Sequence, residues 1–143
     1  MKRLESQFAI SIKQPWAALL VHGCKSIEVR RWRTLRRGQV LIHASRQIDA
    51  RDVIWSHVPS ACLPLARLRG GIIGAAHLID CLTYRTRKAF AADSDRHLND
   101  PRWFTEPVMY GFVMANNIKL PFWPYPGWVR FFEVTVPPTH QLS

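Results

Sequence analysis

The stretch of this chain richest in reactive side chains is short. Gly23-Cys24-Lys25-Ser26-Ile27-Glu28-Val29-Arg30 reads G-x-K-x-x-E-x-R, and Lys13-Gln14-Pro15-Trp16 lies just upstream. A period of two puts Ile27 and Val29 on one face of a strand and Ser26, Glu28, Arg30 and Trp32 on the other. Lys25 stands just outside that strand, where a long cation reaches over the same face. One carboxylate among two cations admits two chemistries. As a binding site, Lys25 and Arg30 contact a phosphate or a base edge, while Glu28 orients them or accepts from a base amino group. As a reaction centre, Lys25 and Glu28 supply cation and general base, and His43 can shuttle a proton. The plain alternative is an ion pair on a solvated strand face, worth about 0–1 kcal/mol.

A second candidate follows at once. Arg30, Arg31, Arg33, Arg36 and Arg37 surround Trp32. Cations interleaved with an aromatic suit a phosphate backbone with one stacked base, each stack being worth about 1–3 kcal/mol. The same run also reads as a solvated turn. Trp16 is a candidate cleft wall, and Trp128 and most Phe side chains are expected in the core, where large rings fill space. Arg85, Arg87 and Lys88 form a weaker basic cluster. The whole chain carries 20 Lys and Arg, mostly Arg, against 10 Asp and Glu, for a net charge of +10. Such an excess points to a polyanion such as nucleic acid, or serves solubility alone. Arginine favours forked contacts to phosphate.

Several classes are disfavoured. Cys24, Cys62 and Cys81 are odd in number and lack C-x-x-C spacing, so neither a disulfide framework nor a zinc site is expected, and an intracellular, reducing, cytoplasmic setting is. The six His residues lack ligand spacing, so no metal and no cofactor are expected. No apolar run approaches the ~18 residues of a membrane span, and no signal-peptide core precedes residue 8.

The elements that must position these residues can be read from periodicity. Phe8, Ile10 and Ile12 alternate as a strand; Pro15 opens a short helix carrying Trp16, Leu19 and Leu20, closed at Gly23. Strands follow at 26–32 and 40–45, the latter with Val40, Ile42 and Ala44 on one face and Leu41, His43 and Ser45 on the other. A helical turn or two fits 49–55. Gly70-Gly71 opens a strand to Leu82 whose two faces are both apolar, as for a barrel wall. Residues 83–102 read as a variable connection with weak helical signal. Strands are expected at 110–115 and 128–136, and Pro121, Pro124, Pro126 and Gly127 mark a turn or loop between them. With 143 residues, 48% of them apolar, the chain fits one domain, 1–143. About six strands and one or two short flanking helices give an α+β, mainly β class. Periodicity leaves a mixed barrel, an OB-like barrel and a sandwich open.

Three ordered motifs resemble the ASCH family: Ser11-Ile12-Lys13-Gln14-Pro15-Trp16, then Gly23 to Arg30, then Arg37-Gly38-Gln39-Val40-Leu41-Ile42-His43-Ala44. Residues 73–82, 111–113 and 126–128 extend the likeness over roughly 8–136. It is similar to the ASCH domain of a eukaryotic transcription coactivator and to small bacterial ASCH proteins. The resemblance implies a PUA-like β-barrel with a cleft beside its first helix, lined by Gln14, Trp16, Lys25, Glu28, Arg30, His43 and Ser45. Arg31, Trp32 and Arg36 would stand at its edge. Family members are associated with RNA or DNA binding and, in some branches, with hydrolysis. One bacterial branch deacetylates a modified cytidine with Lys, Thr and Glu. Lys25 matches that lysine, but Glu28 stands where the threonine nucleophile is expected. The sequence therefore reads first as a nucleic-acid-binding domain, with RNA ahead of DNA. A hydrolase of RNA or of a modified nucleoside (ribonuclease or acetylcytidine amidohydrolase) is the second reading, and a protein-interaction module the third.

Overall fold

A computed structural model describes residues 5–136. In chain order its elements are β1 (Glu5–Gln14), α1 (Trp16–Val21), β2 (Ile27–Arg30), β3 (Gly38–Ile48), α2 (Asp52–Trp55), a 3-10 turn (Ser60–Cys62), α3 (Leu63–Ala66), β4 (Gly71–Tyr84), α4 (Arg87–Ala92), α5 (Ser94–His97), a second 3-10 turn (Pro101–Trp103), β5 (Met109–Pro124) and β6 (Phe131–Val136). The six strands form one mixed sheet in the order β2-β5-β4-β3-β1-β6, with β1 and β3 parallel. The sheet curls until its two edges meet. Trp32, just past β2, sets its ring edge-on to Phe131 of β6 at 5.5 Å, and the Arg30 guanidinium reaches the Ser11 carbonyl of β1 at 2.9 Å. The mainly β class expected from the sequence is therefore found.

Both faces of the sheet are covered. α1 buries Ala17, Ala18, Leu19, Leu20 and Val21 against Ile10, Ile12, Ile42, Ile73 and Phe112. Burying each large aliphatic side chain is worth about 1.5–3 kcal/mol. The other face of β1, β3 and β4 (Ala9, Leu41, Ile72, Ala75) packs with Phe132, Val134, the far half of β5 through Leu120 and Trp123, and Tyr125 just beyond it. Hence β4 is buried on both sides from Gly71 to Ala76, as its sequence implied, but beyond that one face opens and Ile79 is 55% exposed. Gly74 permits the crowding: a Cβ there would lie 2.5 Å from the Ile118 carbonyl oxygen and 2.7 Å from Val21.

Two local expectations need correction. Residues 121–124 are not a turn but the end of β5, with Ile72 opposite Trp123 and Gly71 opposite Pro124. β2 pairs β5 only from Tyr110 to Val113, so the far half of β5 has a partner on one side alone. Pro is tolerated on such an edge because its missing N–H would face away from the ladder. The last strand starts at Phe131, after Arg130 at φ 54, and not at Trp128. The connection at 83–102 holds two short helices and a 3-10 turn. The Thr86 hydroxyl caps α4 by accepting from the Ala89 N–H at 3.1 Å, and Phe90 is fully buried. Among the described residues no helix is long and apolar enough to cross a membrane, and no His, Cys, Asp and Glu cluster fits a metal.

Candidate functional site

Gly23, at φ 88, turns the chain out of α1. The backbone then locks: the Lys25 N–H donates to Leu19 O at 3.1 Å, the Ser26 N–H to Arg96 O at 2.9 Å, and the Met114 N–H to Ser26 O at 2.8 Å. This places Lys25 inward, and only 1% of it is exposed. Its Nζ donates to the His97 carbonyl at 2.7 Å, lies 3.5 Å from Glu28 Oε1 and sits 4.7 Å over the Trp16 ring. Glu28 Oε2 accepts from Arg30 Nε at 3.0 Å, and Arg30 Nη2 goes on to Ser11 O at 2.9 Å. Lys25, Glu28 and Arg30 thus form a closed ladder, as the shared strand face implied. Burial pulls the Lys25 ammonium down to about 8; Glu28 opposes the shift and Arg30 adds to it.

His97 completes the ladder and had no recognisable spacing in the sequence. Its Nε2–H donates to Phe90 O at 2.7 Å and its Nδ1 accepts from the Asn99 N–H at 3.0 Å, which fixes a neutral tautomer. Burial lowers its pKa, the Phe90 carbonyl opposes this, and Lys25 adds to it. The one clue was Phe90, the apolar anchor of a polar stretch, on which the His97 ring stacks at 4.1 Å.

Gln14 is elsewhere engaged. Its Nε2 donates to Leu65 O and Leu68 O, both at 2.9 Å, and its Oε1 accepts from the Ala18 N–H at 2.9 Å. It clamps β1, α1 and α3 together. Trp16 donates through Nε1 to Asp49 at 2.9 Å and meets Trp103 edge-on at 6.4 Å.

His43 and Ser45 lie apart from the ladder, in a groove of about 550 Å³ shared with Ser11, Arg46 and Trp128. His43 Nδ1 is 2.9 Å from Ser11 Oγ and Nε2 is 2.7 Å from Tyr125 O. The carbonyl can only accept, so Nε2 carries the proton and Ser11 donates to Nδ1. Burial lowers the His43 pKa, the Tyr125 carbonyl opposes this and Arg46 adds to it. Gly127 closes over the imidazole; a Cβ there would lie 2.7 Å from His43 Cε1. Trp128 is not a core residue, being 73% exposed. It precedes β6, and Phe132 and Val134 already fill that side of the core. Ser11 joins the two regions, since its carbonyl takes Arg30 and its hydroxyl meets His43.

The ASCH domain model matches residues 10–136. The chain belongs to the ASCH domain family. Activating signal cointegrator 1 from Homo sapiens is 31% identical over 134 residues, covering 79% of this chain and 22% of that protein. Its Mus musculus counterpart is 33% identical over 95 residues, covering 54% of this chain and 15% of that protein. This chain therefore spans about a fifth of the curated relatives' length or less. The crystal structure of an ASCH protein from Zymomonas mobilis matches with a TM-score of 0.63 at 14% identity, over 94% of this chain and 90% of that one. A point variant of the same protein matches with a TM-score of 0.60 at 17% identity, over 82% and 75%. These structural matches speak for the fold.

In this ASCH domain the arginine-rich segment lies where the sheet edges meet. Trp32 is half-buried, edge-on to Phe112 at 4.9 Å, with the Arg130 guanidinium 5.1 Å from its ring. It is a packing residue with a cation beside it. Arg36 lies over Phe8 at 3.7 Å, and Arg37 is 3.9 Å from Asp80. Arg31 is exposed and, like Arg46, has no carboxylate partner among the described residues. The structure thus groups Lys25, Glu28 and Arg30 under Trp16, sets His43 and Ser45 in the adjoining groove, turns Gln14 into the framework, and leaves Arg31, Trp32 and Arg36 on the seam.

Proposed function

We propose that this domain binds single-stranded nucleic acid, RNA ahead of DNA, along the groove that holds Ser45, Arg46 and Trp128, on the flank where Arg30 emerges from its ladder. The observation that carries the reading is Trp128: a large ring, 73% exposed, beside Arg46, which has no carboxylate partner among the described residues, in a chain of net charge +10. An exposed ring offers a stacking platform for any base, and arginine holds phosphate. Ser45 and Gln47 in the same groove supply groups that can meet a ribose 2′-hydroxyl, which favours RNA. Lys25 and Glu28 act here by orienting Arg30 and do not touch the ligand. Membership of the ASCH family supports the class of partner.

The hydrolase reading has less support. Lys25 has the lowered pKa of a usable base, but it is enclosed. The position of the expected nucleophilic hydroxyl holds Glu28, itself buried between the two cations.

The test is a fluorescence-anisotropy titration of labelled single-stranded RNA and DNA of one sequence at several salt concentrations. Binding should weaken steeply with salt, RNA should bind more tightly, and Trp128→Ala should weaken it about tenfold. Salt-independent binding, or an unaffected Trp128→Ala variant, would overturn the assignment. Turnover of RNA or acetylcytidine that disappears in Lys25→Ala would put the hydrolase first.

A further inference from the structure

The parallel pairing of β1 with β3 sets Ser11 directly beside His43. The two continue the sheet face that Ala9 and Leu41 fill with core. They do so past the point where β6 stops covering it, since β1 pairs β6 only as far as Ile10 opposite Phe131. There Ser11, His43 and Ser45 become walls of the groove. His43 Nδ1 accepts from Ser11 Oγ at 2.9 Å, its Nε2–H donates to the Tyr125 carbonyl at 2.7 Å, and Phe132 meets the ring edge-on at 5.6 Å. A hydroxyl, a base and a third group that orients the base thus stand in line, which is the arrangement that activates a serine as a nucleophile. A carbonyl stands where such sites usually carry a carboxylate. It fixes the tautomer and also stabilises an imidazolium. The main chain at Ser11 is anchored from the ladder, because its carbonyl holds Arg30 Nη2 at 2.9 Å. Ser11 is half-buried while His43 is 1% exposed, so the hydroxyl and not the imidazole is presented to the groove. Burial keeps the imidazole neutral and therefore able to take a proton.

The other walls of the groove select the reaction. Gly127 crosses the pair without a side chain; a Cβ there would lie 2.7 Å from His43 Cε1 and 3.2 Å from Ser11 Oγ. The backbone N–H groups of Gly127, Trp128 and Val129 donate to no acceptor among the described residues. They are available to the oxyanion that forms when a carbonyl is attacked. Phosphoryl transfer instead needs several cations around the transferred group. Among the described walls Arg46 is the one arginine or lysine. Trp128 and Val129, 73% and 75% exposed, offer apolar surface to an acyl chain, and Arg46 offers one positive charge to the alcohol that carries it.

We propose that Ser11 and His43 form a catalytic pair that hydrolyses carboxylic esters of short apolar acids, with Ser11 Oγ as the nucleophile. The Ser11 proton passes to His43 Nδ1 as Oγ attacks the ester carbonyl carbon. The bond to the alcohol oxygen breaks, and the imidazolium returns the proton to that oxygen, leaving an acyl-Ser11. Water then attacks the acyl carbon and gives a proton to Nδ1. The bond to Ser11 Oγ breaks, Oγ recovers that proton, and the carboxylic acid leaves. The pair shares the groove with the nucleic-acid reading but does not depend on it. The ester is presented equally by a free small molecule and by an acylated ribose at the end of a strand, and the experiment separates these sources.

The full chain is incubated with a fluorophosphonate, and the adduct is mapped by peptide mass spectrometry. Turnover is followed with 4-nitrophenyl butyrate and with a short RNA whose terminal ribose carries a butyryl ester. The fluorophosphonate should label Ser11, and 4-nitrophenyl butyrate should release a burst of about one equivalent of nitrophenolate. Ser11→Ala should lose both. His43→Gln should slow labelling about 100-fold or more, the usual contribution of a general base. Because His43 is buried, Ser11→Cys provides a reading that leaves the imidazole in place. Beside Nδ1 the new thiol should react with iodoacetamide at least about tenfold faster than the exposed Cys24. Faster deacylation of the RNA makes the substrate an acylated strand; turnover of the nitrophenyl ester alone makes it a free ester; either supports the pair. No adduct at Ser11, labelling unchanged in a folded His43→Gln variant, or a thiol at position 11 slower than Cys24 would overturn it. Loss of RNA binding in Trp128→Ala with Ser11 labelling intact leaves the pair standing, and absence of labelling with RNA binding intact leaves the nucleic-acid reading standing.

Discussion

The Lys25 ladder and the Trp128 groove share one residue and treat charge in opposite ways. Ser11 gives its carbonyl to Arg30 on one side and its hydroxyl to His43 on the other. Within the ladder every charge is paired: Lys25 with Glu28, Glu28 with Arg30. In the groove the imidazole is held neutral by its contacts, while Arg46 and the large ring of Trp128 stand exposed to solvent. A charge kept from water needs a partner, because desolvation costs several kcal/mol per ion. A charge left in water is cheap to keep and available to a ligand. Two neighbouring polar regions thus divide the work, one fixing geometry and the other offering contact. Substitutions in the ladder should therefore report on stability, and those in the groove on binding.

The largest effect is expected where the ladder is broken in the middle. Glu28→Ala strands a fully buried ammonium and a half-buried guanidinium, and should cost about 3–5 kcal/mol in urea unfolding. A loss below about 1 kcal/mol would make the ladder no different from a surface pair.

Next comes the pH dependence of Lys25. Its folded value of about 8 lies below its ordinary 10.5, so the folded protein releases this proton before the unfolded chain does. The burial penalty is complete below about pH 8 and fades as pH rises toward 10.5, so stability attributable to Lys25 rises with pH across that window. The gap corresponds to about 3 kcal/mol. Lys25→Met removes the penalty. Its stability relative to the wild type should be highest near pH 7 and fall by pH 10, measured by urea unfolding at matched ionic strength. A constant difference at all pH values would show that Lys25 does not titrate there.

Trp128→Ala should weaken RNA binding by about tenfold, the loss of one stacked base, yet leave the urea midpoint where it was. A fall in stability with no fall in affinity would move Trp128 from the groove's category into the ladder's.

The smallest effects separate two arginines of the seam. Arg31→Ala should lower the salt slope of RNA binding by just under 1 if it makes one phosphate contact, with stability unchanged. Arg36 lies flat on Phe8, so Arg36→Ala should also cost roughly 0.5–1 kcal/mol of stability. Equal behaviour of the two variants would mean that the contact with Phe8 carries no energy.

How much of this was legible beforehand depends on how far a feature reaches along the chain. The faces of β2 were legible because alternation is local: Glu28 and Arg30 fall on one side whatever else the protein does. Likewise the end of α1 at a glycine of positive φ follows from the sequence Val21-His22-Gly23. The apolar run of β4 announced burial on both faces, which holds from Gly71 to Ala76 and not beyond. What alternation does not encode is which distant segment closes over a side chain. Lys25 had the spacing of a cleft cation, but the His97 carbonyl, 72 residues away, covers it. Gln14 had the look of a ligand contact, but Leu65 of α3 and Leu68 just beyond it supply two carbonyls from more than 50 residues away. Trp128 had the composition of a core residue, and only the prior filling of that space by Phe132 and Val134 leaves it outside.

The sequence by itself therefore determined the mainly β class, the family, the net charge and the co-facial arrangement of Glu28 and Arg30, because each depends on residue type and near-neighbour spacing. Tertiary structure alone decided that Lys25 is enclosed, that His43 is neutral and bridged, and that Trp128 and the Trp16–Trp103 corner face open space. Each of these depends on whether water or another segment occupies the volume beside a side chain, and that volume is defined only once the sheet has curled and its connections have packed.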